Sequence, residues 1–194
     1  MKIYRRLLLF VSFVLLLQLI LPIGSVQATN LLNNPGFETR PYEGEDWDIT
    51  SSNWDLATMT HSTQDVQSGA YHLNYFNDAS NTATETITVT QTLKNLSAGD
   101  YTFSVDSMGG SDAKAGQVTL KANDHQSDGF TTTGYGNWEV LSFDFSIDQT
   151  EDVTITLTID APPGAWGYID NVELTPATNQ TPPVEADIHV EKVD

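Results

Sequence analysis

The chain has 194 residues, 26 acidic and 8 basic side chains, a formal net charge of −18 and no cysteine. An acidic surface of this strength argues against nucleic acid or anionic lipid as partner, because proteins hold both polyanions through Lys and Arg. Without thiols there is no disulfide and no cysteine nucleophile, so the fold rests on its core, with or without help from a metal.

The chain opens on MKIYRR, a basic stretch, followed by the apolar run LLLFVSFVLLLQLIL and then SVQA, with small residues at Val26 and Ala28. That order reads as a secretory signal peptide, residues 1–28, cleaved after Ala28; the alternative is an uncleaved anchor helix, against which the apolar run is shorter than the ~20 residues that a bilayer span needs. The expectation is a secreted, extracellular protein with no membrane contact after cleavage. Losing Lys2, Arg5 and Arg6 leaves five basic residues against all 26 acids, a net charge of −21. The remaining length suits one domain.

From Asn30 to Thr175 the pattern is strands and turns. WDLATMT and AYHLNYF are short strand candidates, followed by TETITVTQTL, which places Ile87, Val89 and Leu93 on one face with Gln91 in register. DYTFSVDS alternates Tyr101, Phe103 and Val105, and GQVTLKA is another short candidate. VLSFDFSI alternates Leu141, Phe143, Phe145 and Ile147, and DVTITLTID alternates Val153, Ile155, Leu157 and Ile159. Alternation of this kind gives each sheet one buried and one wet face, and the many threonines suit a pleated surface. Turn signals at SG 68–69, AGD 98–100, GG 109–110, GYGN 134–137 and PPG 162–164 separate the strands. The last strand candidate, GAWGYIDNVEL, sets Tyr168, Asp170, Val172 and Leu174 on one face if its period of two is unbroken. Eight or nine such strands predict an all-β, two-sheet antiparallel β-sandwich of jelly-roll type over residues 29–176. Residues 177–194 contain TPPVE, a linker composition, and then ADIHVEKV, a strand-like piece that reads as the truncated start of a following domain.

Catalytic signatures are missing. The histidines (His61, His72, His125, His189) have no ligand spacing, and there is no HExxH, GxSxG, P-loop or dinucleotide fingerprint. Paired carboxylates could hydrolyse a glycosidic bond, but 26 acids form too many pairs for any one to carry weight. The tryptophans (Trp47, Trp54, Trp138, Trp166) say more. A sugar ring offers an apolar face and a hydroxyl rim, which proteins meet with an aromatic plane and short polar side chains. Trp166 follows PPGA on the way into the last strand, and Trp138 follows GYGN; each suits an exposed platform or, equally, the core. Trp54 opens a strand and reads as core. Asp170 needs a cation or several donors if buried, and Glu38, after the NPG turn of NLLNNPGFE, is an available partner carboxylate for calcium. Alone, Asp170 reads as a surface residue at a strand end.

Taken in order, NLLNNPGFE, QSGAYHLNY, QTLKNLSAGDYTFSV and WGYIDNVEL resemble the β-sandwich carbohydrate-binding modules attached to secreted bacterial polysaccharide hydrolases. The resemblance covers about residues 30 to 175. It implies a structural Ca2+ held by Glu38 and Asp170, with carbonyls near Asn34 and Ser68 as further ligands. YFNDAS, SMGGSDA and PPGAWGYIDN narrow the likeness to carbohydrate-binding module family 61 of bacterial endo-β-1,4-galactanases. VEADIHVEKVD resembles the approach to the catalytic barrel of those enzymes, glycoside hydrolase family 53. What this implies is a non-catalytic module that binds β-1,4-galactan or a related plant polysaccharide for a covalently linked catalytic domain. Trp166, Trp138, Tyr75, Asn77 and Asp78 would form its sugar site. The competing expectations are an adhesive β-sandwich with a protein partner, in which the tryptophans are core, and a small hydrolase with an unrecognised carboxylate pair.

Overall fold

A computed structural model of the chain describes residues 28–39, 46–51, 57–61 and 65–177, with backbone alone for 57–61. The leader expected over residues 1–28, apart from Ala28 itself, the tail from residue 178, Trp54 and His189 all lie outside the described residues.

Eleven strands follow in chain order: β1 (Asp48–Ser51), β2 (Ala57–His61), β3 (Tyr71–Phe76), β4 (Glu85–Leu96), β5 (Gly99–Gly109), β6 (Gln117–Ala122), β7 (His125–Gln126), β8 (Phe130–Thr131), β9 (Gly134–Ile147), β10 (Glu151–Ala161) and β11 (Trp166–Pro176). β7 and β8 are two-residue strands, which accounts for the excess over the eight or nine that the sequence predicts. Among the described residues the helical structure is one 3-10 turn at Asp112–Lys114. One sheet runs β1-β4-β10-β6-β7, with β8 also on β6, and the other runs β2-β3-β11-β5-β9. The pairings are antiparallel. The protein is an all-β jelly-roll sandwich, as its alternating pattern predicts.

The expected alternation fills the space between the sheets. Ile87, Val89, Val118, Leu120, Ile155, Leu157 and Ile159 come from the first sheet, and Leu73, Phe103, Val105, Ile169 and Leu174 from the second. Burying a side chain of this size contributes about 1.5–3 kcal/mol, so these two rows supply most of the stabilisation. Gln91, in register with the apolar row of β4, is satisfied by the N-terminal segment. Its Nε2 donates to the carbonyls of Asp46 (2.8 Å) and Asn33 (3.1 Å), and its Oε1 accepts from Asn33 N–H (2.8 Å). Trp47 belongs to the core. It is 4% exposed, its ring lies 5.6 Å from that of Phe37, and its Nε1 donates to the Asn34 carbonyl at 2.9 Å.

β11 departs from unbroken alternation. Its pairing with β5 shifts register between Asp170 and Glu173, and Asn171 takes φ +47. An extra residue at such a bulge moves all later side chains to the opposite face. Tyr168 and Asp170 therefore point away from the core, while Val172 and Leu174 point into it. The single face expected for all four does not exist, and Asp170 does not face inward.

Candidate functional site

The outer face of the second sheet carries a row of rings. Trp166 lies opposite Phe76 across the β11–β3 pair, and Tyr168 opposite Asn74. On the other side Tyr168 faces Met108 of β5. Residues directly opposite share a face, so Phe76, Trp166, Tyr168 and Met108 are on the outside together. Tyr168 and Trp166 have centroids 5.6 Å apart at 59°, and Tyr135 adds a third ring 6.2 Å from Trp166 at 47°. His72 closes the row 4.4 Å from Tyr168. Trp166 and Tyr168 are half-buried, whereas Phe76 and Tyr135 are 50% and 67% exposed. Trp138 is half-buried on β9, two residues before the exposed Val140, which lies opposite Asp106. Tilted, partly exposed rings like these present apolar faces to solvent, and their polar edges supply hydroxyls.

Asp65 brings charge to this row. The Tyr135 hydroxyl donates to its Oδ1 at 2.6 Å, and that bond holds the Tyr135 phenol above its ordinary pKa. Tyr168 is raised as well, by burial first and then by the Asp65 charge. His72, 1% exposed, is pushed down by burial, and Asp65 opposes that shift. Neither ring nitrogen of His72 has a hydrogen-bond partner among the described residues.

Two residues expected in the sugar site are not at the surface. Tyr75 is fully buried, pairs with Gly167, and points inward. Methyl groups on Gly116 or Gly167 would come within 2.2 and 2.3 Å of its phenol oxygen, and burial pushes that phenol up to about 12. Phe76, the next residue, is the one that faces out. Asn77 has no exposed surface either. Its Nδ2 donates to the carbonyls of Ala161 (2.7 Å) and Ala83 (3.1 Å), and its backbone bonds Ala165 and Gly164. It is the pin that sets the PPGA turn from which Trp166 emerges. Asp78 is exposed, and its carboxylate accepts the Ser80 N–H at 2.7 Å, which holds it below the usual carboxylate range.

A second polar region lies beyond the bulge. Asp170 is 0% exposed; Oδ2 accepts from the N–H groups of Ser68 (2.9 Å) and Gln67 (3.1 Å), and Oδ1 from Asn171 N–H (2.8 Å). Burial nonetheless raises its pKa, and the Glu38 charge adds to the rise. Glu38 accepts from Ala70 N–H with both oxygens, at 3.0 and 3.1 Å. A methyl group on Gly36 would lie 3.4 Å from Asp170 Oδ1 and 3.6 Å from Glu38 Oε1, so both carboxylates border one small space. Beside it is a cleft of about 660 Å³ lined by Asn34, Glu38, Asp46, Ser68 and Asn171. The ion pair among the described residues, Lys94–Asp152, is elsewhere. Hard carboxylate oxygens bordering one space, one of them buried and, among the described residues, without a basic partner in hydrogen-bonding contact, are the donor chemistry that calcium takes, and the residues fit it. Of the other expected ligands, Asn34 fits less well. The Asn34 carbonyl already accepts from Phe37 N–H and Trp47 Nε1; Ser68 lines the cleft, and its N–H and hydroxyl donate to Asp170 and to Asn171 Oδ1. Among the described residues no three acids or histidines converge as a metal cluster.

Tyr168, Tyr135, Phe76, His72 and Asp65 extend beyond the sequence expectation. The alternation of YHLNYF held the signal for Phe76, because Leu73 and Tyr75 share one parity and His72, Asn74 and Phe76 the other. Nothing in the sequence joins Asp65 to Tyr135.

No family profile matches the chain, and no curated protein matches it in sequence. Solved structures do. A module solved with β-1,4-galactotriose (TmCBM61) aligns over 77% of this chain and all of its own, with 23% identity and a TM-score of 0.65. A family 16 carbohydrate-binding module aligns over 75% of this chain and 99% of its own, at 15% identity and 0.53. The CBM22-1 xylan-binding domain of Xyn10C from Paenibacillus barcinonensis aligns over 77% and 95%, at 12% identity and 0.51. At these identities the likeness establishes the β-sandwich fold.

Proposed function

We propose that this protein is a non-catalytic carbohydrate-binding module whose outer aromatic face holds a neutral polysaccharide, with β-1,4-galactan as the leading ligand. The observation that carries the reading is the run of rings from Tyr135 through Trp166 and Tyr168, outside the core and partly open to solvent. Rings of this kind shed water against the C–H face of a sugar, and Tyr hydroxyls and Asp65 accept or donate at its hydroxyl rim. Galactan is favoured over other glycans by the likeness to the module solved with β-1,4-galactotriose. The strongly acidic chain suits a neutral ligand.

The rest of the reading follows from that role. The chain would be exported by its N-terminal leader and would tether a linked galactanase to its substrate, raising the enzyme's effective concentration there. Calcium held by Glu38 and Asp170 would neutralise two carboxylates and fix the N-terminal segment to loop 67–71 and to β11. Its role is structural, since it would supply charge compensation and no chemistry on the sugar.

Affinity electrophoresis tests the reading. Migration of the purified protein should slow in gels containing β-1,4-galactan and stay unchanged with xylan or cellulose derivatives. Unretarded migration through all of them by a folded, calcium-loaded protein would reject it and bring a protein partner forward. Release of reducing ends from the galactan would instead point to a hydrolase.

A further inference from the structure

Tyr135 is held unlike the other rings. It stands between Gly134 and Gly136, whose φ values of +131 and +81 lie where glycine is favoured, and a methyl group on Gly136 would meet nothing within 4 Å. Its side chain is 67% exposed, yet its hydroxyl is fixed 2.6 Å from Asp65, 70 residues earlier. β9 is an edge strand of the second sheet and Asp65 precedes β3, with β11 and β5 between them. The bond therefore straps across the strands that carry Trp166, Tyr168 and Met108. Gly136 N–H contacts Met108 Sδ at 3.0 Å, seating the strap on the sheet. Asp65 itself is half-buried, and its charge reaches Tyr135, Tyr168 and His72. Its carboxylate thus stands at the Tyr135 hydroxyl, beside the aromatic row and near enough for its charge to be felt along it.

We infer that Asp65, clasped by Tyr135, is the specificity-determining acid of this face: it accepts a hydrogen bond from a hydroxyl of a neutral glycan on Trp166 and excludes glycans that carry carboxylates. The inference rests on the glycan-binding reading above. An ionised carboxylate only accepts, so it matches a hydroxyl donor, and the bond is charge-assisted. A uronate would bring a second carboxylate to the same half-buried place, where like charges are poorly screened. Neutral pectic side chains and the acidic pectin backbone differ in this respect.

Calorimetric titration of the purified protein with β-1,4-galactotriose and with trigalacturonate tests it. The wild type should bind the neutral sugar and give no heat with the acidic one. Asp65→Asn should weaken neutral binding about tenfold, the loss of a charge-assisted bond, and admit trigalacturonate, so the preference falls at least about tenfold. Asp65→Ser gives a second neutral variant should the first not fold, and Tyr135→Phe, which keeps the charge, should leave the uronate excluded. An unchanged preference in a folded neutral variant overturns the inference while the glycan reading stands. A wild type that binds neither sugar removes both.

Discussion

Trp166 and Tyr135 place their ring centroids 6.2 Å apart at 47°, although one opens β11 and the other stands near the start of β9. The angle makes an open corner and not a closed stack, so a flat ligand can rest on the indole while the phenol walls its side. Trp166 is half-buried and Trp47 is in the core. Binding of β-1,4-galactotriose should therefore shift Trp emission to shorter wavelength, and Trp166→Phe should remove most of the shift. A full shift in that variant would place the ligand elsewhere, with Trp138 the next candidate.

Gly69 controls the acid cleft. It has φ +63, and a methyl group there would come 1.8 Å from Glu38 Oε1. Gly69→Ala should cost about 2 kcal/mol, from backbone strain and from the displaced carboxylate. Urea unfolding checks this; a loss under about 0.5 kcal/mol, the level of an ordinary surface change, would mean that Glu38 moves aside freely and that the turn relaxes from its left-handed conformation at little cost.

Calcium should stabilise the fold through Glu38 and Asp170. A ligand present at a hundred times its Kd adds about 2.7 kcal/mol, so Tm should rise with calcium and fall with a chelator. Glu38→Gln should abolish most of that dependence. Equal calcium shifts in wild type and variant would show that the ion sits elsewhere.

His72 gives a pH signature. Burial lowers its pKa in the fold below the ordinary 6.5, so the unfolded chain binds the proton more readily. Stability from this group is complete above pH 6.5 and is lost as pH falls from there toward the lowered value. His72→Phe keeps a ring against Tyr168 and removes two nitrogens that have no partner among the described residues, and such a swap costs little. Its Tm should drop less than the wild type's between pH 7 and pH 5. Parallel drops would mean that other groups set the acid sensitivity.

Much of the sandwich was legible because period-two alternation fixes which residues are buried. Ile87, Val89, Phe103, Leu157 and Ile159 all sit where that rule puts them. The rule failed at β11, where a bulge at Asn171 reversed the faces, since one extra residue leaves no mark in composition. Trp166 was legible as a ring after a turn. Tyr75 misled because an aromatic of either parity looks alike until the strand is placed between neighbours. Asp65 could not be read at all, because its role depends on a bond to a residue 70 positions away.

Trp166 is the proposed platform of the glycan site. Isothermal titration of calcium-loaded wild type and Trp166→Ala with β-1,4-galactotriose, with xylotriose and cellotriose as controls, tests it most directly. The galacto-oligosaccharide alone should bind, more weakly in the folded variant by about 2 kcal/mol, or roughly thirtyfold. Equal affinities in the two proteins, or no binding by the folded wild type, would contradict it.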